Sequence, residues 1–324
     1  MKPLLIPLLR QLADGKFHSG EDLARLFSVS RATIYQVLAD AENLGIQIFR
    51  VRKRGYRLAS SLDLLDAQSI KEQLGASCPF TIEVLDSTDS TNTLLLEQAH
   101  DVNAHGKCIV TELQTKGRGR QGRVWYSGIA GALTFSVLWR FKNGIAALSG
   151  LSLAVGLAVT KAFEELGIND IKLKWPNDIQ HNGRKLAGIL IEVQGEILGQ
   201  SNAVIGIGLN YRLTPEVLKD IDQAVVDLNS ITEAPLSRNL VLAKILQSLA
   251  KILIKFETEG FSSMTKDWEQ KHAHQNKKIR VLLPDNTYVY GIAEGIMPDG
   301  SLKVSTRTGI MKFSVGEVSL RADN

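Results

Sequence analysis

The spacing of the hydrophobic residues changes twice along this sequence, and these changes indicate its domain organisation. Apolar residues recur at helical spacing through the first 45 residues. Between residues 80 and 275, runs with strand character alternate with long helical patterns, and beyond Lys277 only short alternating runs remain. We therefore predict an α+β protein with an N-terminal helical unit, a central mixed α/β domain and a C-terminal small β-barrel.

The length agrees with this division, because 324 residues suffice for two or three domains of about 100–200 residues each. Hydrophobic residues make up 44% of the chain and charged residues 22%, which excludes a disordered or collagen-like protein. The predicted units are an N-terminal domain at 1–62, a linker helix at 63–79, a central domain at 80–275 and a C-terminal domain at 276–324.

The N-terminal unit has the pattern of a helix-turn-helix. A leucine stripe marks the first helix, and Ser19 and Ser30 are suitable N-caps for the second and third. The third helix is expected to end at Gly45. As a recognition helix it would direct four side chains towards the major groove of DNA, namely Arg31, Thr33, Tyr35 and Gln36.

A strand-like hairpin follows this helix and completes a winged helix-turn-helix. Its tip carries Arg52, Lys53 and Arg54, and the five basic residues between positions 50 and 57 suit contacts with phosphates. Residues 1–60 hold ten Lys or Arg and five Asp or Glu, whereas the whole chain has a net charge of only +4. The charge is therefore concentrated in a unit that we predict to bind DNA. A protein-binding module of the same fold is the alternative.

Other features bear on the cellular compartment. The two cysteines, Cys78 and Cys108, fit no zinc-ligand spacing, so we expect a cytoplasmic protein with reduced thiols and no metal held by protein ligands alone. The apolar N-terminus is interrupted by Pro7 and Arg10, unlike a signal peptide. The longest nearly uncharged stretch, residues 145–160, is shorter than the roughly 18–20 residues of a membrane span. We predict that it is a buried helix and that the protein has no membrane partner.

A glycine- and arginine-rich segment runs from Gly117 to Arg123 and matches the pattern G-x-G-x-x-G. A dinucleotide-binding turn opens a helix and is followed about 20 residues later by an acidic residue, whereas here the strand-like run 133–139 follows. No Gly-Lys-Ser/Thr is present either, which excludes a Walker loop. The segment can wrap an anion through backbone N–H groups and guanidinium groups, although a mobile cationic loop has the same composition.

Four further short motifs accompany this segment. Taken singly, they are typical of a helix N-cap, a hairpin with an exposed lysine and a tight turn after a strand. Taken together and in order, they resemble the biotin protein ligase family, and with the winged helix they resemble its bifunctional bacterial form, which is both ligase and repressor. The motifs are Ser90-Thr91-Asn92, Gln114 with Gly117-Arg118-Gly119-Arg120 and Trp125, Lys174-Trp175-Pro176-Asn177-Asp178, Lys185-Leu186-Ala187-Gly188-Ile189, and Gly206-Ile207-Gly208-Leu209-Asn210.

The resemblance implies a central ligase domain, an SH3-like C-terminal barrel, and two linked activities. The family forms biotinyl-5′-AMP from biotin and ATP, with Mg²⁺ accompanying ATP, and transfers biotin to one lysine of a carboxylase biotin carrier domain. The adenylate-bound protein is then expected to form a homodimer on operator DNA and repress biotin synthesis genes. Two alternatives remain: a monofunctional ligase whose winged helix does not regulate transcription, and a ligand-sensing transcription factor without ligase activity.

The resemblance also implies the roles of individual residues. Cations are needed where a carboxylate meets a polyphosphate, and the catalytic residues would be Lys185, Arg118 and Arg120. The biotin site would comprise Ser90, Thr91, Asn92, Gln114, Arg118, Gly119, Arg120, Lys185 and Gly188. The site for ATP and the adenylate would comprise Arg118, Arg120, Arg123, Trp125, Asn177, Asp178 and Asn210.

Overall fold

The computed structural model describes residues 3–314 and 319–322, so residues 1–2, 315–318 and 323–324 of the predicted domains lie outside the described residues. Ser19 Oγ accepts a hydrogen bond from the Asp22 N–H at 3.0 Å, and Ser30 Oγ accepts one from the Thr33 N–H at 3.0 Å. Both predicted caps are confirmed, because each oxygen satisfies an N–H left free in the first helical turn. The N-terminal unit contains α1 (Leu5–Leu12), α2 (Gly20–Leu26), α3 (Arg31–Asn43), β1 (Ile48–Val51) and β2 (Gly55–Leu58).

The described part of the central domain is built on a mixed sheet of seven strands. These are β3 (Thr81–Leu85), β4 (Lys107–Thr111), β5 (Ala132–Phe141), β6 (Ile171–Lys174), β7 (Asp178–His181), β8 (Arg184–Gly195) and β9 (Ser201–Asn210). Their order in the sheet is β3-β4-β5-β9-β8-β7-β6. Strands β3 and β4 are parallel, and the remaining neighbours pair antiparallel.

Helices cover both faces of this sheet. They are α4 (Ala67–Leu74), α5 (Thr91–Glu97), α6 (Leu151–Glu165), α7 (Pro215–Leu218), α8 (Arg238–Glu259) and α9 (Thr265–Lys271). Helices α6 and α8 pack against each other over one face, and the apolar side of α8, including Leu242, Leu249 and Phe256, is buried there. Leu95 of α5 packs with Leu138 and Val204 on the opposite face. Helix α5 leaves part of that opposite face open for a ligand site.

The helix predicted at residues 145–160 differs from the structure. Gly150 has a φ of +81°, a left-handed conformation that glycine adopts without strain. It separates a short 3₁₀ turn, Ile145–Leu148, from α6, which begins at Leu151 and continues to Glu165. Within the described ranges, the chain has no helix of the length and apolarity required to cross a bilayer.

The C-terminal unit, for which the sequence predicts a small β-barrel, is a small antiparallel sheet of five described strands. Its described strands are β10 (Lys278–Leu282), β11 (Tyr288–Ile296), β12 (Leu302–Thr306), β13 (Gly309–Phe313) and β14 (Ser319–Ala322), in the order β13-β12-β11-β10-β14. Ile279, Val281 and Val304 are fully buried and continue the core of the central domain. The indole of the buried Trp175 donates a hydrogen bond to the Gly300 carbonyl at 3.0 Å, which ties the central domain to this sheet.

Two buried histidines near this junction are expected to make stability depend on pH. Burial lowers the pKa values of His272 and His274 to about 4 each. Because an unfolded histidine has a pKa of about 6.5, the unfolded chain binds more protons between these values. The stability contributed by the neutral rings is therefore complete above about pH 6.5 and is lost as the pH falls towards 4.

We expect the substitution His272→Gln to reduce the dependence of the protein's stability on pH. Its thermal unfolding midpoint should fall less between about pH 6.5 and pH 4.5 than that of the wild type, as measured by circular dichroism. His100→Gln is the matched control, because His100 is exposed. Equal pH slopes in the two variants would contradict a role for the buried ring.

Candidate active site and nucleic-acid interface

A cavity of about 650 Å³ opens on the face of the central sheet that carries α5. Glycines form much of its floor, with Gly188 on β8 and both Gly206 and Gly208 on β9. A methyl group at Gly208 would lie 2.4 Å from the Trp125 ring, and one at Gly206 would lie 2.2 Å from Asn92 Oδ1. The glycines therefore allow these two side chains to pack directly on the sheet.

A hydrogen-bonded wall of polar residues lies at one end of the cavity. Gln114 Oε1 accepts hydrogen bonds from the backbone N–H and the hydroxyl of Thr91, at 2.8 and 3.0 Å. The hydroxyl oxygens of Thr91 and Ser136 lie 2.6 Å apart, and Ser136 donates to Asn92 Oδ1 at 2.6 Å. Ser90 caps α5 by accepting from the Thr93 N–H. This wall presents fixed donors and acceptors, as recognition of a polar ring requires.

Positive charge is concentrated at the other end. Lys185 Nζ lies 2.7 Å from Asp178 Oδ1, with both side chains less than one-fifth exposed. Arg120 Nη1 donates to Asn177 Oδ1 at 3.3 Å, and burial lowers the pKa of its guanidinium. Asn210 donates to the Lys185 carbonyl at 3.2 Å and so fixes the backbone that carries the lysine. Because charge interactions strengthen away from water, this end is suited to an anionic ligand.

Several polar atoms of the cavity lining are buried without a partner among the residues that the structure describes. They are Nη2 of Arg120, Nε1 of Trp125 and Oγ1 of Thr134. A buried polar group without a hydrogen bond costs free energy. A ligand with acceptor atoms at these positions would therefore gain affinity from hydrogen bonds that the protein leaves unmade.

The structure brings together all the residues to which the sequence assigned a role with biotin or ATP. Each of them lines this one cavity: Ser90, Thr91, Asn92, Gln114, Arg118, Gly119, Arg120, Arg123, Trp125, Asn177, Asp178, Lys185, Gly188 and Asn210.

Other residues of the site were missed by the sequence analysis. Thr134 and Ser136 line the cavity from β5, and Asp220 and Asp222 line it from the loop after α7. The alternation in β5 was a usable signal, because Thr134 and Ser136 are polar whereas residues 133, 135 and 137 are apolar and face the helical core. The loop carried no such periodic signal.

The predicted DNA-reading residues lie on one side of α3. Arg31, Tyr35 and Gln36 are exposed, and Thr33 is partly exposed with its hydroxyl 2.9 Å from Ser30 Oγ. The guanidinium of Arg50 covers the Tyr35 ring at 4.7 Å. The recognition helix and the wing thus form one continuous surface.

The wing carries fewer available cations than the sequence indicated. Arg50 forms an ion pair with Glu42 at 2.5 Å, and Arg57 lies over the rings of Phe17 and Phe49. The three tip residues are exposed, namely Arg52, Lys53 and Arg54, although Arg54 also stacks on Phe17 at 4.5 Å. Phosphate contacts are therefore expected at the tip rather than along the whole hairpin.

Comparison with known proteins places the chain in a family. The model of the Biotin/lipoate A/B protein ligase family matches residues 84–210, an HTH domain model matches residues 5–57, and the Biotin protein ligase C terminal domain model matches residues 274–321. The chain is 35% identical to the bifunctional ligase/repressor BirA of Salmonella typhimurium over 328 aligned residues, with 99% of each protein covered. The chain belongs to the biotin protein ligase family.

Further members of the biotin protein ligase family agree with this assignment. The bifunctional ligase/repressor BirA of Bacillus subtilis is 30% identical, with 98% of this chain and 97% of that protein covered. The structure of the biotin protein ligase of Aquifex aeolicus in complex with biotin and ATP is similar with a TM-score of 0.64 and 31% identity. That match covers 75% of this chain and 99% of the Aquifex chain.

Proposed function

We propose that this protein is an ATP-dependent biotin protein ligase that forms biotinyl-5′-AMP and transfers biotin to a specific lysine of a carboxylase biotin carrier domain. The cavity is the observation that carries the proposal, because it joins a polar wall at Thr91 and Gln114 to a cationic end at Lys185 and Arg120. Biotin has a polar ureido ring and a carboxylate at opposite ends, which matches this arrangement. A relative of the same fold was solved with biotin and ATP.

In the first step, a carboxylate oxygen of biotin attacks the α-phosphorus of ATP, and the bond to pyrophosphate breaks. The reacting groups are both anionic and repel each other. Lys185, Arg118 and Arg120 would offset this repulsion, most strongly where negative charge accumulates in the transition state. The contact with Asp178 at 2.7 Å holds the Lys185 ammonium at the cavity wall before the ligands arrive.

Mg²⁺ is the ion that we propose to accompany ATP. Among the described residues there is no group of three or more His, Cys, Asp or Glu arranged to hold a metal. Asp178, Asp220 and Asp222 line the cavity, and this donor set fits an ion bound through substrate phosphates and one or two carboxylates. When bound, the ion would neutralise part of the phosphate charge.

In the second step, the amine of the carrier lysine attacks the carbonyl carbon of biotinyl-5′-AMP, and AMP leaves. The mixed anhydride is already activated, so this step needs no side-chain nucleophile from the ligase. The segment from Gly117 to Arg123 borders the cavity, and its closure over the adenylate would exclude the water that hydrolyses it.

We further propose that the adenylate-bound protein forms a homodimer in the cytoplasm and represses biotin synthesis genes by binding operator DNA. Support comes from the exposed recognition helix, from the cationic tip at residues 52–54, and from full-length relatives named bifunctional ligase/repressor. A ligand that favours the dimer raises DNA affinity by mass action. Biotinyl-5′-AMP would thus be both intermediate and corepressor.

The test measures binding to promoter DNA of the organism's biotin synthesis genes with no ligand, biotin alone, MgATP alone, and both together. We expect tightening only with both ligands. The double variant Arg52→Ala/Lys53→Ala should weaken binding to all sequences and lower the slope of log affinity against log salt by about 1–2. Lys251→Ala, at an exposed position on α8, is the matched control.

Each alternative predicts a different result in this test. Biotin-dependent pyrophosphate release without ligand-dependent DNA binding would identify a monofunctional ligase. Ligand-dependent DNA binding without pyrophosphate release would identify a transcription factor that only senses its ligand.

A further inference from the structure

A carboxylate beside the cavity contacts two residues of the candidate biotin site. Glu192 lies on β8 and is about one-quarter exposed. A single oxygen of its side chain, Oε2, accepts a hydrogen bond from Arg118 Nη2 at 2.8 Å and another from Asn92 Nδ2 at 2.8 Å. Glu192 belongs to none of the sequence motifs and does not line the cavity itself.

Through Asn92, this carboxylate connects to the polar wall. The Asn92 amide donates to Glu192 and to the Leu190 carbonyl, and its oxygen accepts from Ser136. Ser136 contacts Thr91, and Thr91 donates to Gln114. A continuous path of polar contacts therefore begins at Arg118, passes through Glu192 and returns to the chain at Gln114.

The path attaches both ends of the segment 114–118 to the sheet. Beyond it, the Gly119 N–H donates to the Arg123 carbonyl at 2.7 Å, and the Trp125 N–H donates to the Gly117 carbonyl at 2.9 Å. We call residues 117–123 the arginine loop. Its backbone is thus closed on itself, while the contact between Arg118 and Glu192 fixes it to β8.

We propose that Glu192 is a positioning residue that anchors the arginine loop beside the cavity and orients the Asn92 amide for ligand binding. This inference rests on the proposed ligase function. Both partners of Glu192 are donors, so the position requires an acceptor, and a negative charge strengthens both hydrogen bonds.

The two contacts differ in burial, and this predicts where the larger effect lies. Arg118 is 45% exposed, so water and salt screen its ion pair. Asn92 is only 4% exposed, and without a charged acceptor its amide keeps a weaker hydrogen bond to residue 192 and the longer contact to Leu190, at 3.2 Å. Loss of the charge should therefore weaken ligand binding through Asn92 and loosen the loop through Arg118.

Glu192→Gln tests the proposal, because glutamine preserves size and removes the charge. The matched control is Glu83→Gln, which removes a carboxylate on β3 that pairs with Lys107 at 2.8 Å outside the cavity. Trypsin cleavage after Arg118, Arg120 and Arg123 is followed without ligand. The KM for biotin and kcat are then measured from pyrophosphate release.

For Glu192→Gln we expect the KM for biotin to be higher by roughly five- to tenfold and loop cleavage to be faster by about two- to fivefold, with a smaller change in kcat than in KM. In Glu192→Asp, the rate of loop cleavage and the KM for biotin should both return part of the way to the wild-type values. Glu83→Gln should leave both quantities unchanged. A Glu192→Gln variant with wild-type loop cleavage and KM would overturn the proposal. So would a fall in the thermal midpoint with faster cleavage at sites throughout the chain, because that pattern indicates a purely structural role.

Failure of the proposed function would be distinguishable from failure of this inference. If the wild-type protein neither binds biotin nor releases pyrophosphate, the ligase proposal is wrong whatever Glu192 does. If the wild type is active and Glu192→Gln matches Glu83→Gln in both assays, only the role of Glu192 is wrong.

Discussion

Replacement of Lys185 by methionine is expected to lower biotin-dependent pyrophosphate release by about 10²–10³-fold. The side chain is 16% exposed, and its Nζ contacts Asp178 at 2.7 Å. Methionine keeps much of the volume but removes the cation that would face the reacting carboxylate and phosphate. It also leaves the Asp178 charge unpaired beside an anionic substrate, which adds to the repulsion. Biotin binding without ATP should remain largely intact.

The measurement is the initial rate of pyrophosphate release at saturating biotin and MgATP, with biotin binding followed separately by calorimetry. Lys172→Met is the matched control, because Lys172 is an exposed lysine on β6 of the same sheet and its replacement should leave the rate unchanged. Lys185→Arg, which keeps the charge, should retain more activity than Lys185→Met. Near-normal pyrophosphate release by Lys185→Met would remove Lys185 from the proposed mechanism.

The second large effect is expected at a buried ion pair beneath the site. Arg238 and Glu112 have fully buried side chains, and Nη2 lies 2.5 Å from Oε2. Arg238 also donates to the carbonyls of Ala132 and Asp63, at 3.0 and 2.7 Å. Removing Arg238 leaves the buried Glu112 carboxylate with a longer contact to the partly exposed Arg10, at 3.8 Å, as its remaining ion pair. Arg238→Met should therefore lower the free energy of unfolding by about 3–5 kcal/mol.

Urea denaturation followed by tryptophan fluorescence measures this loss. Lys244→Met is the surface control, because Lys244 pairs with Glu165 at 3.3 Å with both side chains partly exposed, and its loss should be about 1 kcal/mol or less. The double variant Arg238→Met/Glu112→Gln should recover part of the stability, since no buried charge then remains unpaired. A loss below about 1 kcal/mol for Arg238→Met would show that water reaches the pair.

The same pair connects three parts of the protein. Glu112 Oε1 accepts from the Leu65 N–H at 2.5 Å, and Arg10 of α1 donates to the Leu65 carbonyl at 2.8 Å. Glu112 also precedes Gln114 of the polar wall by two residues. The first helix of the winged unit, the linker and the ligand cavity are therefore joined at one buried ionic cluster.

The sequence predicted those features whose causes lie within a few residues along the chain. The caps at Ser19 and Ser30 were visible because an N-cap acts on an N–H two or three positions away. The order of the motifs identified the family and named the residues that line the cavity. The helix at 145–160 was misplaced because the pattern gave no sign that Gly150 adopts a left-handed conformation.

Features that depend on distant residues were decided by the tertiary structure alone. In the sequence, nothing distinguishes Glu192 from an ordinary carboxylate on a strand. It contacts Asn92, 100 positions away, and Arg118, 74 positions away, only because the fold brings these parts of the chain together. Arg238 follows a helix cap and would be expected at the surface, yet it is buried against Glu112, 126 positions away. Local patterns fix caps, strands and motifs, whereas strand order and burial determine which charges meet. Hydrophobic periodicity carries no information about these long-range partners.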